Sequence, residues 1–177
     1  MDRDGVINRS LMRQGKPYAP ATLAEFKLLP GVEQAIVALR KAGFLIIIVT
    51  NQPDVAMDTQ RREITEAMHD RLHASGLYDE IKVCYHSDMD TCDCRKPKPG
   101  MLIEAAKEWQ IDLANSYMVG DRWRDIEAGK AAGCTTFFID YNYQERRPKD
   151  PDAIVTSLEE ASKFILKKAQ VGGEQVS

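Results

Sequence analysis

The sequence predicts an α/β fold with a doubly wound, mainly parallel sheet, and three observations support this. Strand-like and helix-like segments alternate from about residue 31 onward. Residues 44–49 form a continuous apolar run rich in isoleucine, as expected of a parallel strand that is buried on both faces. Gly43, Gly76 and Gly133 follow helical segments, where glycine commonly ends a helix. We therefore expect helices on both faces of a central sheet.

The expected elements follow in chain order. A first helix begins after Pro30-Gly31, because Val32, Ile36 and Leu39 share one helical face. By the same periodicity arguments we expect helices at about residues 59–75, after Pro99, at 123–132 and at 158–168, and strands at 44–49, 81–85, 117–119, 135–139 and 153–155. Residues 1–170 are expected to form a single domain, and the polar residues 171–177 a disordered tail.

Composition excludes several functional classes. A chain of 177 residues with a net charge of −3 has no basic excess, so we expect no nucleic-acid partner. The longest apolar run is too short to span a membrane. Polar residues at positions 2–4 leave no room for the apolar region of a signal peptide. We expect a cytoplasmic, monomeric protein without a membrane partner.

Four short polar segments are expected at the carboxyl ends of strands, where sheets of this kind bind ligands. They are Asp2-Arg3-Asp4-Gly5, Thr50-Asn51-Gln52, Arg95-Lys96-Pro97-Lys98-Pro99-Gly100 and Gly120-Asp121-Arg122-Trp123-Arg124-Asp125. Carboxylates can attack phosphorus or bind a hard cation such as Mg²⁺, and a lysine can neutralise phosphate. Asp2, Asp4 and Asp121 could supply the oxygen ligands of a Mg²⁺ site.

Each segment by itself has a simpler interpretation. An Asp-Gly pair is common in surface turns, and Thr50-Asn51 or Asp121 could cap a helix. A lone lysine is more often a solvated charge than a functional group. All four segments in this order at strand ends favour a phosphate-handling site.

The four ordered motifs resemble those of the haloacid dehalogenase superfamily of phosphotransferases, over nearly the whole chain. The resemblance implies a Rossmann-like sheet and Mg²⁺-dependent hydrolysis of a phosphomonoester. Asp2 would be the nucleophile that forms an aspartyl-phosphate, and Asp4 the general acid/base. Thr50 and Lys96 would stabilise the transferring phosphoryl group. Asp2, the backbone carbonyl of Asp4, and Asp121 would bind Mg²⁺.

The same family architecture implies a run of apolar strand residues before the nucleophile. Here only Met1 precedes Asp2. We therefore hypothesise that the first strand is truncated and that the chain begins at an internal methionine.

A second metal site is indicated by Cys84, His86, Cys92 and Cys94. Three thiolates and one imidazole match a closed, tetrahedral, structural Zn²⁺ site. Ordinary buried thiols, or a disulfide from Cys84 to Cys92 or Cys94, are the alternatives. We expect a zinc-binding loop that fixes the adjacent Arg95 and Lys96.

Within the superfamily, this zinc loop resembles the heptose bisphosphate phosphatases and the related histidinol-phosphate phosphatases, which lack a large cap domain. Only the eight residues 53–60 separate Gln52 from the next expected helix, which leaves no room for a cap. The resemblance implies removal of the 7-phosphate of a heptose 1,7-bisphosphate in nucleotide-activated heptose biosynthesis. Histidinol phosphate or another small sugar phosphate is an alternative substrate. A zinc-stabilised binding domain without catalysis is an alternative of a different class.

Six residues are candidates for substrate binding: Asn8, Arg9, Asn51, Gln52, Arg95 and Arg122. We assign Arg95 to the distal phosphate or hydroxyls, because a guanidinium fork matches phosphate geometry. The sequence departs from the subgroup at Met57 and Asp58, where an arginine and a glycine are usual. The loss of a cation there should alter affinity rather than the chemistry at Asp2.

Overall fold

The computed structural model describes residues 1–173, and its strands fall into three hydrogen-bonded groups. The first group is an antiparallel hairpin, and the other two are parallel. In chain order the strands are β1 (Leu11–Arg13), β2 (Lys16–Tyr18), β3 (Ile47–Asn51), β4 (Glu80–Cys84), β5 (Tyr117–Gly120), β6 (Thr135–Ile139) and β7 (Ala153–Val155). β3 pairs with β4, and β6 pairs with both β5 and β7.

Met1 and Asp2 join the two parallel groups. The Val49 N–H donates to the Met1 carbonyl at 2.9 Å, and the Asp2 N–H donates to the Val119 carbonyl at 2.9 Å. The dipeptide therefore lies between β3 and β5. Beside it is an apolar cavity of about 300 Å³, lined on its two sides by residues that include Ile47 and Tyr117. The hypothesis of a truncated first strand stays a prediction.

Six helices flank the strands in the described part of the chain. They are α1 (Val32–Lys41), α2 (Pro53–Ala56), α3 (Arg62–Ala74), α4 (Gly100–Trp109), α5 (Trp123–Ala131) and α6 (Leu158–Gly173). A short 3₁₀ turn, Leu113–Asn115, precedes β5.

Successive residues of a strand pack into two separate hydrophobic cores, one on each face of the sheet. Ile48 and Val119 pack with the apolar residues of α1, α3 and α6. Their sequence neighbours Val49 and Met118 pack with Met101 of α4 on the other face. The alternation follows from the two-residue period of a strand. The predicted doubly wound, mainly parallel α/β fold is confirmed.

Element boundaries differ from the prediction where backbone hydrogen bonds go to loops. β3 begins at Ile47 rather than at residue 44, because the Phe44 N–H donates to Leu39 and the Ile46 N–H to the Asp79 carboxylate. α3 begins at Arg62 rather than at residue 59, because the N–H groups of residues 59 and 60 both donate to the Asp54 carbonyl. The β1–β2 hairpin was not predicted.

The last helix is longer than predicted. α6 continues to Gly173, so residues 171–173 are helical rather than part of a disordered tail. Ala169 and Gln170 are good helix formers and carry the helix past the expected domain limit at residue 170. The remainder of the predicted tail, residues 174–177, lies outside the described residues.

The absence of a large cap is also confirmed. Between β3 and α3 the chain makes only the single-turn helix α2 and a loop. Among the helices of residues 1–173, none combines the length and the apolar character needed to cross a membrane.

Candidate active site

Four of the predicted segments meet at the carboxyl edge of the parallel strands. They line a cavity of about 210 Å³ whose wall also includes the β1–β2 hairpin. The predicted residues on this wall are Asp2, Asp4, Asn51, Lys96, Asp121 and Arg122. The wall also contains residues that were not predicted individually, among them Lys16, Tyr18, Asp54, Arg124 and Asp125.

The centre of the site is a buried carboxylate cluster around one ammonium group. Carboxylate oxygens of Asp2, Asp121 and Asp125 lie within 4.8 Å of one another. Lys96 Nζ lies 2.8 Å from Asp2 Oδ1 and 2.6 Å from Asp125 Oδ1. It also donates to the Val49 carbonyl at 2.7 Å. One ammonium cannot neutralise three carboxylates, so the ionised cluster lacks two positive charges.

The uncompensated charge appears in the pKa values. Burial and the neighbouring Asp125 raise the pKa of Asp2 to about 6. Burial, together with Asp125 and Asp2, raises the pKa of Asp121 well above its ordinary value. Burial alone would lower the pKa of Lys96, but the charges of Asp125 and Asp2 raise it. A divalent cation would supply the missing charge and restore the ionised carboxylates.

Two further observations fit a bound cation. Asp121 Oδ1 is buried and has no hydrogen-bond partner within the described residues. Its other oxygen, Oδ2, occupies the space above Gly5, where an added Cβ would lie only 1.9 Å away. Gly5 also has a φ of 81°, in the left-handed region that favours glycine. The Asp-Gly sequence therefore admits the Asp121 carboxylate into the cluster and leaves one oxygen free for a hard cation.

Asp4 makes a separate polar network instead of joining the cluster. Arg3 Nη2 donates to Asp4 Oδ1 and Oδ2 at 3.0 and 2.8 Å. The amides of Asn8 and Gln52 each donate to Asp4 at 2.8 Å. Burial alone would raise the pKa of Asp4, but Arg3 and these hydrogen bonds hold it below its ordinary value. The completely buried Arg3 also contacts His69 Nε2 at 2.8 Å.

The polar residues at the carboxyl end of β3 contact protein groups. Thr50 is buried, and its hydroxyl accepts a hydrogen bond from Gln52 Nε2 at 2.9 Å. Asn51 lines the cavity and holds the backbone of Lys96 through both its amide oxygen and its amide nitrogen. Gln52 and Asn8 are buried against Asp4 and lie outside the cavity wall. Their amides orient the predicted acid/base, so the expectation that these two bind substrate is not supported.

The predicted arginines have different surroundings. Arg122 lines the cavity and makes a bidentate pair with Glu145, at 2.9 and 2.6 Å. Arg95 points into the metal loop, where it pairs with Asp88 at 2.8 Å and donates to the His86 carbonyl. Arg124 shares Asp88 with Arg95 and reaches the cavity wall. Arg95 does not line the cavity that contains Asp2, because its guanidinium pairs with Asp88, and its contact with substrate stays a prediction.

Arg9 lies at a neighbouring cavity of about 260 Å³, whose lining includes Tyr141 and Tyr143. It is exposed and does not line the cavity that contains Asp2. The substrate contact of Arg9 stays a prediction, and the structure places this residue beside the Asp2 cavity rather than on its wall.

The cysteine and histidine ligands converge as a second group. His86 Nδ1 lies 3.5 Å from Cys84 Sγ and 3.3 Å from Cys94 Sγ, and the Cys84 and Cys92 sulfurs are 4.0 Å apart. A tetrahedral zinc ion would hold such ligand atoms about 3.5–3.8 Å from one another. All three cysteines are free thiols, so the alternative disulfides are not formed. The cluster is compatible with a metal ion held by the loop between β4 and α4.

Sequence reasoning missed several contributors to the site. Asp125 was part of the fourth predicted segment but was assigned no individual role, although it joins the carboxylate cluster. Arg3, between the two predicted carboxylates, gave no signal of burial because charged residues are rarely buried. Lys16 and Tyr143 come from a hairpin and a loop whose positions no periodicity reveals.

Comparisons with known proteins agree with this architecture. Residues 6–133 match the haloacid dehalogenase-like hydrolase family. The chain belongs to that family, and it is a phosphatase.

Individual relatives give a narrower likeness. The chain is 39% identical over 151 residues to the D-glycero-beta-D-manno-heptose-1,7-bisphosphate 7-phosphatase of Pseudomonas putida, covering 82% of this chain and 83% of that one. It is 35% identical over 144 residues to the enzyme of the same name from Bordetella bronchiseptica, with 78% of each chain covered. A crystal structure of D,D-heptose 1,7-bisphosphate phosphatase from B. bronchiseptica, complexed with magnesium and phosphate, superposes with a TM-score of 0.79. The two sequences are 30% identical, and the superposition covers 94% of this chain and 96% of the B. bronchiseptica chain.

Proposed function

We propose that the chain removes the 7-phosphate of D-glycero-D-manno-heptose 1,7-bisphosphate, in nucleotide-activated heptose biosynthesis, with Mg²⁺ in the carboxylate cluster and an aspartyl-phosphate on Asp2. The observation that carries the chemistry is the buried group of Asp2, Asp121 and Asp125 around Lys96. The choice of substrate is based on the names of the relatives, whose alignments cover about four fifths of the chain.

In the first step, the Asp2 carboxylate attacks phosphorus and the bond from phosphorus to the sugar oxygen breaks. The leaving oxygen takes a proton from Asp4, which gives the free hydroxyl of the sugar. Two anions must approach each other in this step. Lys96, 2.8 Å from Asp2, reduces their repulsion, and Asn51 holds the Lys96 backbone in place.

In the second step, Asp4 takes a proton from water and the resulting hydroxide attacks phosphorus. The phosphorus bond to Asp2 breaks, which releases phosphate and restores the carboxylate. The hydrogen bonds from Arg3, Asn8 and Gln52 favour ionised Asp4, the form needed as a base. The approach of an anionic phosphate raises its proton affinity for the first step.

Asp2, Asp121 and the Asp4 backbone carbonyl are the proposed Mg²⁺ ligands, with Asp125 beside them. The fit rests on the free, buried Asp121 Oδ1 and on the two uncompensated negative charges of the cluster. When bound, Mg²⁺ supplies charge neutralisation for the nucleophile and for the oxygens of the transferring phosphate.

Recognition of the second phosphate is proposed to involve Lys16. Arg122 and Arg124 are already paired with Glu145 and Asp88. Lys16, on β2, lines the same cavity and makes no ion pair among residues 1–173. An exposed, unpaired ammonium at the mouth of the cavity is well suited to a phosphate remote from Asp2.

Zinc is the proposed occupant of Cys84, His86, Cys92 and Cys94, because thiolate and imidazole ligands in a closed tetrahedral set suit this ion. Its role is structural. The loop also contains Asp88, which binds Arg124 of the cavity wall. Residues 1–170 as a single domain, a monomeric state and a cytoplasmic location are proposed on the sequence alone.

The test is phosphate release by the full chain with Mg²⁺, across a panel of both anomers of heptose 1,7-bisphosphate, histidinol phosphate and simple sugar monophosphates. We expect the highest kcat/KM for a heptose bisphosphate. A clear preference for histidinol phosphate would overturn the substrate, and no release from any compound would favour a binding domain without catalysis. The Asp2→Asn variant should lose turnover while folding normally. Turnover equal to that of the unsubstituted chain would reject Asp2 as the nucleophile.

A further inference from the structure

The segment after β6 contacts the active site and the adjoining hairpin through three consecutive residues, two by their side chains and one by its backbone N–H. Tyr143 Oη donates to Asp121 Oδ2 at 2.8 Å. The Gln144 N–H donates to the Gly15 carbonyl in the β1–β2 hairpin at 2.9 Å. Glu145 makes the bidentate pair with Arg122. We name residues 143–145 the strap.

The strap contacts Asp121 of the carboxylate cluster and also the residue that follows it. Asp121 is held through its own carboxylate, and its chain neighbour Arg122 is held through its guanidinium. Both of these positions follow β5 directly. The same strap contacts the turn of the hairpin, where the Gln144 side chain occupies the space above Gly15.

Tyr143 distinguishes the two oxygens of Asp121. Oδ2 lies against Gly5 and accepts a hydrogen bond from the tyrosine hydroxyl, whereas Oδ1 is buried and has no hydrogen-bond partner among residues 1–173. A carboxylate held at one oxygen by a donor and a steric stop cannot rotate freely, so its other oxygen keeps a fixed direction. Second-layer hydrogen bonds of this kind orient metal ligands and are commonly required for full affinity.

We propose that Tyr143 is a positioning residue that orients Asp121 for Mg²⁺, and that the strap holds it there. The inference rests on the proposed function in taking Asp121 as a Mg²⁺ ligand. It assigns to the loop after β6 a role in setting the metal affinity of this chain.

The experiment is a calorimetric titration of the full, metal-free chain with Mg²⁺ alone. Tyr143→Phe removes the hydroxyl and keeps the ring. We expect Mg²⁺ to bind about 10–100-fold more weakly, as is usual when a hydrogen bond to a metal ligand is lost. Tyr141→Phe is the matched control. The two rings are 5.5 Å apart, but within residues 1–173 the Tyr141 hydroxyl donates to no carboxylate.

A second variant, Glu145→Gln, tests the strap without altering Tyr143. It should weaken Mg²⁺ binding in the same direction and remains informative if Tyr143→Phe does not fold. Mg²⁺ binding within about twofold of the unsubstituted chain in both variants would overturn the proposal. Because the titration needs no substrate, an unsubstituted chain that binds Mg²⁺ but releases no phosphate would reject only the proposed function.

Discussion

Lys96 Nζ lies 2.6 Å from Asp125 Oδ1, closer than to the predicted nucleophile Asp2. Both side chains are almost completely buried. Lys96 is therefore shared between the nucleophile and a carboxylate at the start of α5. The Asp125 carboxylate also accepts the Arg122 N–H at 2.9 Å, so it joins the lysine to the backbone beside Asp121.

This relationship predicts that Asp125→Asn impairs the site even though Asp2 and Asp121 remain. Asparagine keeps the size of the side chain but removes a charge that helps to bind the cation and to fix Lys96. We expect Mg²⁺ affinity to fall by about 10–100-fold and turnover to fall at least as much. Asp54→Asn is the control, because Asp54 lines the same cavity outside the cluster. Equal losses in both variants would contradict a specific role of Asp125.

Gly5→Ala should disable the site through a steric effect on Asp121. The new methyl group would displace the Asp121 carboxylate, from which an ideal Cβ lies only 1.9 Å away. A displacement of this order should reduce turnover by about 100-fold. Gly43→Ala is a close control, since Gly43 has a φ of 87° but no atom within 4 Å of the added Cβ. Both variants should lose about 1–2 kcal/mol of stability, and only Gly5→Ala should lose activity in steady-state assays.

His69 should make the free energy of unfolding depend on pH. Burial and the Arg3 charge lower the pKa of His69 to about 4, against an ordinary value of 6.5. Between these values the unfolded chain binds more protons than the folded one, so this contribution to stability is lost as pH falls from 6.5 towards 4. The loss by pH 4.5 should be about 2–3 kcal/mol.

Urea unfolding at pH 4.5 and 7 measures the contribution of His69 when the unsubstituted chain is compared with the His69→Gln variant. The other titrating groups contribute equally in the two proteins, so the difference between them isolates His69. Glutamine can still accept the Arg3 hydrogen bond. We expect the variant to lose less stability on acidification. His73→Gln is the control, because His73 is exposed on the same helix. Its stability should depend on pH as that of the unsubstituted chain does. If the free energy of unfolding depended on pH identically in all three proteins, the lowered pKa of His69 would be refuted as a source of the acid sensitivity.

The cysteine cluster predicts one bound zinc ion per chain that stabilises the fold. Cys92→Ser removes one of the ligands and should reduce the zinc content measured by mass spectrometry, with a lower Tm. Cys134→Ser should retain zinc, because Cys134 lies outside the cluster. A Cys92→Ser protein with unchanged zinc content and Tm would exclude this site.

The fold class and most of the site could be predicted because their signals are local. Apolar runs, the glycines after helices and the order of four polar motifs indicated parallel strands with a ligand site at their carboxyl ends. The cysteine and histidine cluster was visible from spacing alone, since its four residues lie at the end of β4 and in the loop that follows it. Element boundaries were less certain, as at β3 and α3, because loop hydrogen bonds decide where a helix or strand begins.

The sequence by itself determined that Asp2, Lys96 and Asp121 belong to one site, because the four ordered polar motifs that contain them were expected at the same edge of a parallel sheet. Only the tertiary structure decided how the charges are shared. In the structure Arg3 pairs with Asp4, Arg95 pairs with Asp88, Asp125 contacts Lys96, and Tyr143 contacts Asp121. These contacts join residues from different loops and helices, and their distances depend on packing that no local pattern encodes. The partner of a buried charge is fixed by the nearest opposite charge in space, whatever its position in the chain.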